Sequence, residues 1–474
     1  MARLNRRLTV TALLLSMFMG AMEATVVGTA MPTVIADLGG LALYGWVGSA
    51  YLLASTVSVP VYGKLADVYG RKPVLLLGIA LFLLGSIASG GAPTIVALIL
   101  ARAVQGLGAG AMQPIAVTVV GDLFAVGERG RVQGLIGAVW GSAAVAGPLV
   151  GGLIVQSLSW RWVFWINVPF GFASAAILLR WYAEDPRPPR TLPLDWLGAL
   201  LLSLSALALL LGAAGEQPAL TLPLGALLAL WVVWQGRRAA DPVFPLALLT
   251  RRPIAVAAQS SLLLGATMMG TLMFVPLYVQ GVLGRGPAEA GATAAPMLLG
   301  WPIASTLTSR MLVRVGFRSP VWLGSVLCAA SLGAFAWLLQ PGASMPALQS
   351  AMFVYGLGMG LVNTTLLIAV QSSVGWEQRG VATATTMFSR SIGGALGVGA
   401  FGTVLAARLG AVLPPDAVRA ILDPERRRAL AGGAHLARAL ASGLAPIFWA
   451  TAALALLNVL VVAFYPRAAQ RPTE

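Results

Sequence analysis

Glu23 and Arg102 are the residues whose types and positions most clearly suggest chemistry. Glu23 is the only one of the 16 acidic residues that lies deep inside a long apolar stretch, residues 8–34. At about 1.5 Å per residue, this stretch is long enough to span a hydrocarbon core of about 30 Å. An ionisable group in a bilayer is costly unless paired, hydrated or neutralised, which favours a role in proton or cation handling. The alternative is an ion pair that only holds two helices together.

Arg102 lies at a matching depth. Glu23 comes about nine residues before the outer end of its stretch, and Arg102 about eight after the outer start of the stretch 94–121, so both lie roughly 12 to 14 Å from the outer face. Desolvation favours a neutral carboxylate, whereas a nearby cation favours the charged form. A moving Arg102 would therefore switch the proton affinity of Glu23. Arg390 is the other embedded charge, and a gate, a counter-charge and a packing residue all remain open for it.

The composition identifies the elements that position these residues. The 474 residues are 58% hydrophobic and 10% charged, with a mean hydropathy of +0.84. This composition predicts an all-α polytopic membrane protein and excludes an ordinary soluble globule. The net charge of +15 comes from short basic clusters between apolar runs. Such dispersal is typical of membrane orientation, and we expect no nucleic-acid partner.

Hydropathy predicts about fourteen spans, arranged as a bundle of six (residues 1–182), a linker with two additional spans (183–253) and a second bundle of six (254–474). An even count places both termini on one side. The predicted spans are 8–34, 44–62, 73–91, 94–121, 132–156, 162–182, 194–213, 218–236, 254–280, 290–312, 319–339, 346–372, 381–407 and 443–465.

The basic residues orient the spans. With both termini in the cytoplasm, most arginines and lysines fall in inner loops, and short outer loops hold only Arg161 and Arg285, as the positive-inside rule expects. The segment 408–442 disagrees, because its six arginines are placed outside. Either it folds as a cap, with short amphipathic helices at 418–422 and 430–440, or a nearby span is miscounted.

Enzyme chemistry finds little support. The sole histidine, His435, lies in the last loop, and the chain has no zinc-ligand spacing, no G-x-S-x-G and no P-loop. The single cysteine, Cys328, lies in an apolar run and excludes an internal disulfide. We therefore expect no catalytic residues, no metal and no cofactor.

The segment Gly63–Lys72 carries the first family resemblance. It resembles the loop signature of the major facilitator superfamily, and Val68 departs from it where that family usually has a basic residue. Its glycines allow a tight reversal, and Asp67 can accept from helix N-termini or arginines, so we interpret the loop as a conformational latch. A weaker match to the same segment, at residues 309–318, suggests that the two halves of the chain are repeats. The matching residues are Gly63, Leu65, Asp67, Gly70, Arg71 and Lys72.

Four further motifs, which lie within the first 171 residues, narrow the resemblance. Residues 98–110, with Arg102, resemble the fourth-span signature of the superfamily, and 147–152 resemble its antiporter signature. Residues 160–171 and 22–27 resemble motifs of the fourteen-span drug:proton antiporter family, whose first-span acid is usually aspartate. The resemblance implies a multidrug efflux transporter, driven by the proton gradient, in the cytoplasmic membrane, with alternating access and a role in antibiotic resistance. With Glu23 the only embedded carboxylate, we expect one coupling proton per cycle and a monomer.

The antiporter-type motif has a mechanical interpretation. Gly147, Gly151 and Gly152 allow close helix packing, and Pro148 removes a backbone donor, so the fifth span could bend during rocking. Ordinary small-residue packing is the alternative.

A central cavity would suit small hydrophobic or cationic substrates, and aromatic and amide residues are its candidate lining. Export of a lipid or another amphipathic metabolite, or proton-coupled uptake, remains an alternative on the same fold. The candidate cavity residues are Trp46, Tyr51, Gln113, Trp140, Gln259, Tyr278, Trp301, Tyr355, Asn363 and Arg390.

Overall fold

The computed structural model describes residues 5–40, 43–184, 195–213, 215–243, 246–339, 343–411 and 434–466, and all regular structure within them is helical. Fourteen long helices coincide with the predicted windows. They are α1 (Arg6–Leu38), α2 (Tyr44–Tyr69), α3 (Arg71–Gly90), α4 (Ile95–Leu123), α5 (Val126–Ser157), α6 (Asn167–Trp181), α7 (Trp196–Ala213), α8 (Pro218–Arg238), α9 (Arg252–Gly281), α10 (Pro287–Val315), α11 (Arg318–Leu338), α12 (Met345–Ser372), α13 (Arg379–Gly410) and α14 (Ala434–Ala463).

Twelve of these helices are long and apolar enough to cross a membrane, when α6 is counted together with the helical turn Trp162–Trp165 that precedes it. The other two, α2 and α10, are long but less apolar. The apolar sequence of α2 contains Ser55, Ser58 and Pro60, although the helix is continuous. Two prolines, Pro296 and Pro302, lie in α10. The structure thus confirms a polytopic helical protein, and the count of fourteen spans stays a prediction.

Local sequence signals explain several helix ends. The side chain of Asn5 accepts the Leu8 N–H at 3.2 Å and so caps α1, and Thr94 caps α4 in the same way through the Ala97 N–H. Gly70 separates α2 from α3 with a φ of 110°. This backbone region favours glycine and permits an abrupt reversal between the two helices.

The same helix pairing occurs twice along the chain. In the first bundle α3 and α2 pack on α4, while α5 and α6 pack on α1; in the second, α11 and α10 pack on α12, while α13 and α14 pack on α9. Each pair in the second bundle follows its counterpart by eight helices. This arrangement is a parallel repeat, which transporter folds use to build a site between two halves.

The bundles meet through α2 against α13 and through α5 against α10. These contacts concentrate at one end of the molecule, which we name the basic end and which holds Gly70, Asp122 and Arg379. The opposite end, with Asp37 and Trp160, is named the far end. The two additional helices lie beside this interface, because α7 packs on both α2 and α13 and α8 packs on α7.

The bundles separate towards the far end. A Cβ built on Gly130 of α5 would lie 2.7 Å from the Ser305 carbonyl oxygen of α10. A Cβ built on Gly141, further towards the far end, would lie 3.5 Å from the Leu298 carbonyl oxygen. Further along α5, Pro148 is exposed. The space between the bundles is therefore closed at the basic end and wider towards the far end.

Candidate functional site

Glu23 on α1 and Arg102 on α4 form a buried ion pair. Nη1 of Arg102 contacts Oε1 of Glu23, and the two side chains are 2% and 0% exposed respectively. The structure therefore brings together the two residues whose predicted depths matched. A buried pair of this kind is stable only when its remaining hydrogen-bonding groups are also satisfied.

Amide and hydroxyl groups satisfy those positions. Nδ2 of Asn167 donates to Oε2 of Glu23 at 2.6 Å, and Nη1 of Arg102 donates to Oε1 of Gln105 at 2.6 Å. The hydroxyl of Ser86 accepts from both amides, at 3.2 Å from Asn167 and 3.1 Å from Gln105. Both oxygens of Glu23 thus have partners, and α1, α3, α4 and α6 all contribute to one network.

Arg102 also has partners that do not depend on Glu23. Its Nε donates to the Val47 carbonyl at 3.2 Å, and its guanidinium lies 4.3 Å from the centre of the Tyr51 ring. A cation over an aromatic face gains further stabilisation when water is excluded. Neither contact involves Glu23, so both hold the guanidinium independently of the carboxylate.

Asp67 joins the two bundles at the basic end. Its carboxylate accepts the backbone N–H groups of Gly380 and Val381, at 2.9 and 2.8 Å, and pairs with Arg71 at 2.7 Å. These N–H groups belong to the first turn of α13, where a negative charge is favourable. Gly63 and Gly380 make room for the contact, because a Cβ on Gly380 would lie 2.7 Å from the Gly63 carbonyl oxygen and one on Gly63 would lie 3.0 Å from the Gly380 carbonyl oxygen.

Arg71 and Arg379 converge on Asp122 at the end of α4. Nε of Arg71 lies 3.2 Å from Oδ2 of Asp122, and Nη1 of Arg379 lies 2.6 Å from Oδ1. Nη2 of Arg71 also donates to the Trp376 carbonyl at 2.8 Å. One acid of the first bundle thus pairs with arginines from both bundles.

The start of α3 is fixed by Glu184, which follows α6. Its carboxylate accepts the backbone N–H groups of Arg71 and Lys72, at 2.8 and 3.1 Å. The Lys72 ammonium donates to the Tyr182 carbonyl at 2.6 Å. Among the predicted latch residues, Gly63, Asp67 and Arg71 contact the second bundle directly.

The glycines of the antiporter-type motif face α1. Gly147 packs on the side chain of Thr25, whose hydroxyl donates to the Ala143 carbonyl at 3.1 Å. Gly151 packs on α1 one turn later, whereas nothing lies within 4 Å of a Cβ built on Gly152. The motif thus permits close approach of α5 to α1 through two of its glycines.

Three of the candidate cavity residues lie between the bundles. Gln113 on α4 and Asn363 on α12 are each half-buried among fully buried neighbours. Nη1 of Arg390 on α13 donates to Oδ1 of Asn363 at 3.2 Å. These residues line the space between the bundles on the side of the basic end.

The remaining candidates are dispersed. Tyr278 and Tyr355 lie in the hydrophobic core of the second bundle, where Tyr355 bonds Thr267 at 2.9 Å. Tyr51 belongs to the Arg102 cluster rather than to an open wall. The others are half-buried or exposed: Trp46, Trp140, Gln259 and Trp301.

The segment 408–442 is helical at both ends, since α13 continues to Gly410 and α14 begins at Ala434. The helix that contains most of the predicted last span, 443–465, therefore begins nine residues before it. Residues 412–433, which hold most of the predicted cap, lie outside the described residues. Within the described ranges, no cluster of three or more histidine, cysteine or acidic side chains could hold a metal ion.

Sequence reasoning did not assign a role to four of the residues in these networks. Asn167 and Gln105 lie inside quoted motifs, and an amide in an apolar span was the available signal. Asp122 and Glu184 stand at span ends, where acids are common and carry no signal by themselves.

Known protein sequences are similar to this chain over most of its length. The family model of the Major Facilitator Superfamily matches residues 13–398. The chain is 36% identical over 419 residues to the multidrug transporter protein MdtP of Bacillus subtilis, covering 86% of this chain and 77% of that protein. It is also 36% identical over 411 residues to multidrug resistance protein 3 of the same organism, covering 84% and 80%.

Solved structures show the same fold at low identity. The human organic anion transporter MFSD10 superposes with a TM-score of 0.63 at 19% identity, over 96% of this chain and 99% of that one. A bacterial homologue of the iron transporter ferroportin superposes with a TM-score of 0.64 at 12% identity, over 96% and 98%. By sequence match and by fold, this chain belongs to the Major Facilitator Superfamily of membrane transporters.

Proposed function

We propose that the protein exports small hydrophobic or cationic compounds in exchange for protons by alternating access. The observation that carries this proposal is the buried Glu23–Arg102 pair, the one embedded carboxylate of the described helices, held by Asn167 and Gln105. The names of the two Bacillus subtilis relatives support export of drug-like compounds. No cofactor is required, because the proton gradient supplies the driving force.

In this mechanism Glu23 binds a proton from the far end of the molecule. Protonation cancels its charge and weakens its attraction for Arg102, while the Tyr51 ring and the Val47 carbonyl retain the guanidinium. Because the two conformations differ in their affinity for the proton and for the substrate, binding of either one shifts their populations. Release of the proton from the other conformation restores the ion pair and resets the cycle.

The orientation follows from the charges. The basic end carries Lys64, Arg71 and Arg379, whereas Arg161 and Arg285 lie at the far end. By the positive-inside rule the basic end faces the cytoplasm. We propose fourteen spans in the cell membrane, both termini in the cytoplasm and a monomeric transporter, whose described conformation opens towards the outside.

The test is flux of rhodamine 123, a lipophilic cationic dye, driven by a pH gradient across vesicles that contain the purified protein. We expect the native protein to couple dye efflux to proton entry and Glu23→Gln to lose that coupling, because glutamine has the same size as glutamate but cannot bind the proton. Glu216→Gln, which alters an exposed acid in the loop between α7 and α8, is the matched control and should behave like the native protein.

Each alternative has its own signature in this assay. Unchanged coupling in Glu23→Gln would remove the carboxylate from the mechanism. Dye accumulation in the direction of the proton flux would indicate uptake. Absence of both dye and proton movement in the native protein would contradict export of cationic drugs, and lipids or other amphipathic metabolites would then be the substrates to test.

A further inference from the structure

Arg390 is a cation in the membrane region for which the described residues supply no carboxylate partner. Its one hydrogen bond in the described part of the chain goes to the neutral amide of Asn363, at 3.2 Å, and no acid lies within salt-bridge distance there. An embedded arginine stays charged and is costly without a counter-charge. Arg102, by contrast, has Glu23.

The surrounding helices contain no acid to neutralise Arg390. Its own helix, α13, and the neighbouring α9 and α12 have neither aspartate nor glutamate. In the described second bundle the acids are Glu289, which pairs with Arg285 at the far end, and Glu377, which is exposed at the basic end. Glu377 precedes Arg390 by thirteen residues, about 20 Å along a helix. Within the described residues, no acid therefore lies close enough to neutralise Arg390.

Arg390 is half-buried on α13, the helix through which the second bundle packs on α2 of the first. Nε2 of Gln371 donates to the Val117 carbonyl at 3.2 Å, so α12 and α4 run side by side at the basic end. Counted from the helix ends at the basic end, Asn363 lies nine residues, Gln113 ten and Arg390 eleven residues into its helix, or about 14 to 17 Å. The three residues therefore lie at similar depths.

We infer that Arg390 and Asn363 form a subsite for an oxyanion, foremost a carboxylate, carried by an amphipathic substrate. A guanidinium offers donors in a planar fork that matches a carboxylate, and the amide NH2 of Asn363 can donate to the same group while its oxygen accepts from Arg390. This inference rests on the proposed export function and adds to its substrates lipophilic compounds that carry an anionic group, including zwitterions.

The test is equilibrium binding, which does not depend on proton coupling. Rhodamine 110 has a free carboxylate, and rhodamine 123 is its methyl ester, so the two dyes differ only in the group that the subsite would recognise. Fluorescence polarisation would measure both dyes on purified protein in phosphatidylcholine nanodiscs. The variants are Arg390→Gln, Arg390→Lys and Arg408→Gln, the last of which alters an exposed arginine of the same helix.

We expect Arg390→Gln to weaken rhodamine 110 at least tenfold and to leave rhodamine 123 within twofold of native affinity. Arg390→Lys should lose part of the rhodamine 110 affinity, because an ammonium lacks the bidentate fork. Arg408→Gln should match the native protein for both dyes. Competition for rhodamine 110 by dodecanoate or by dodecyl phosphate would then tell whether a carboxylate or a lipid-type phosphate fits better.

Three results would overturn the inference. They are failure of the native protein to bind the carboxylate dye, unchanged rhodamine 110 affinity in Arg390→Gln, and an equal loss for both dyes, which would indicate a packing role. Failure of the proposed export function would appear separately, as absent proton-coupled flux in vesicles with dye binding intact.

Discussion

At the scale of single residues, the two members of the buried ion pair differ in whether they can become neutral when the partner is lost. A carboxylate that loses its cation can bind a proton and become neutral, whereas a guanidinium cannot lose its proton in a protein. Glu23 is therefore the member of the pair that can titrate. Arg102 supplies a fixed charge, held in place by Gln105, Val47 and Tyr51.

This difference gives an expectation for Arg102→Gln. Glu23 should become protonated in the variant, so the protein should fold, while proton-coupled dye flux should fall at least tenfold because the carboxylate no longer releases its proton readily. Thermal unfolding in detergent and vesicle flux measure the two effects separately. Arg161→Gln, in an exposed pair with Asp37, is the matched control. Full flux in Arg102→Gln would remove this pair from the coupling mechanism.

The sequence was informative about residues that are unusual for their surroundings. Glu23 stands out because no other acid lies deep in an apolar span, and Arg102 because its depth matches. Asn167 and Asp122 do not stand out, because their importance depends on which helices pack together. That packing is set by long-range contacts that a single sequence does not display.

At the scale of elements, the contact between α2 and α13 is the device that closes the basic end. Gly63 and Gly380 let the two helices approach, and Asp67 then reaches the first turn of α13. A charge at a helix N-terminus contributes about 0.3 to 2 kcal/mol. The contact is therefore strong enough to favour one conformation and weak enough to release.

We expect Asp67→Asn to loosen this closure. Met387 of α13 packs on Val59 of α2 across the interface and is buried, so a cysteine at that position reports separation of the bundles. Labelling of Met387→Cys by a maleimide should be roughly three to ten times faster with Asp67→Asn, the ratio that about 0.7 to 1.4 kcal/mol produces. The buried Cys328 provides the background to subtract.

Glu128→Gln is the control for the labelling experiment, because Glu128 is an exposed acid at the same end of the molecule. It should leave the labelling rate unchanged. An unchanged rate in Asp67→Asn would show that the carboxylate does not hold the bundles together.

Helix positions were predictable from hydropathy, since each predicted window contains a helix. Helix ends were less predictable from hydropathy. The last helix begins at Ala434, nine residues before the predicted start, because amphipathic turns continue a helix beyond the apolar window. The crossing of α2 with α13 was not predictable, because the glycines that allow it are 317 positions apart in the chain, at Gly63 and Gly380.

At the scale of the whole molecule, two repeated bundles enclose a space that is closed at the basic end. The Glu23–Arg102 cluster lies within the first bundle, and Arg390 projects from the second. In the mechanism that we propose, the proton binds in the first bundle and the anionic group of a substrate binds to the second. Relative motion of the bundles is the means by which one event would influence the other.

The most direct test of this account is a count of the protons exchanged for each rhodamine 123 molecule in vesicles that contain the native protein or Glu23→Gln. Because Glu23 is the single embedded carboxylate of the described helices, we expect about one proton per dye molecule in the native protein and none in Glu23→Gln. Two protons per dye molecule, or an unchanged ratio in Glu23→Gln, would contradict the claim that Glu23 is the coupling site.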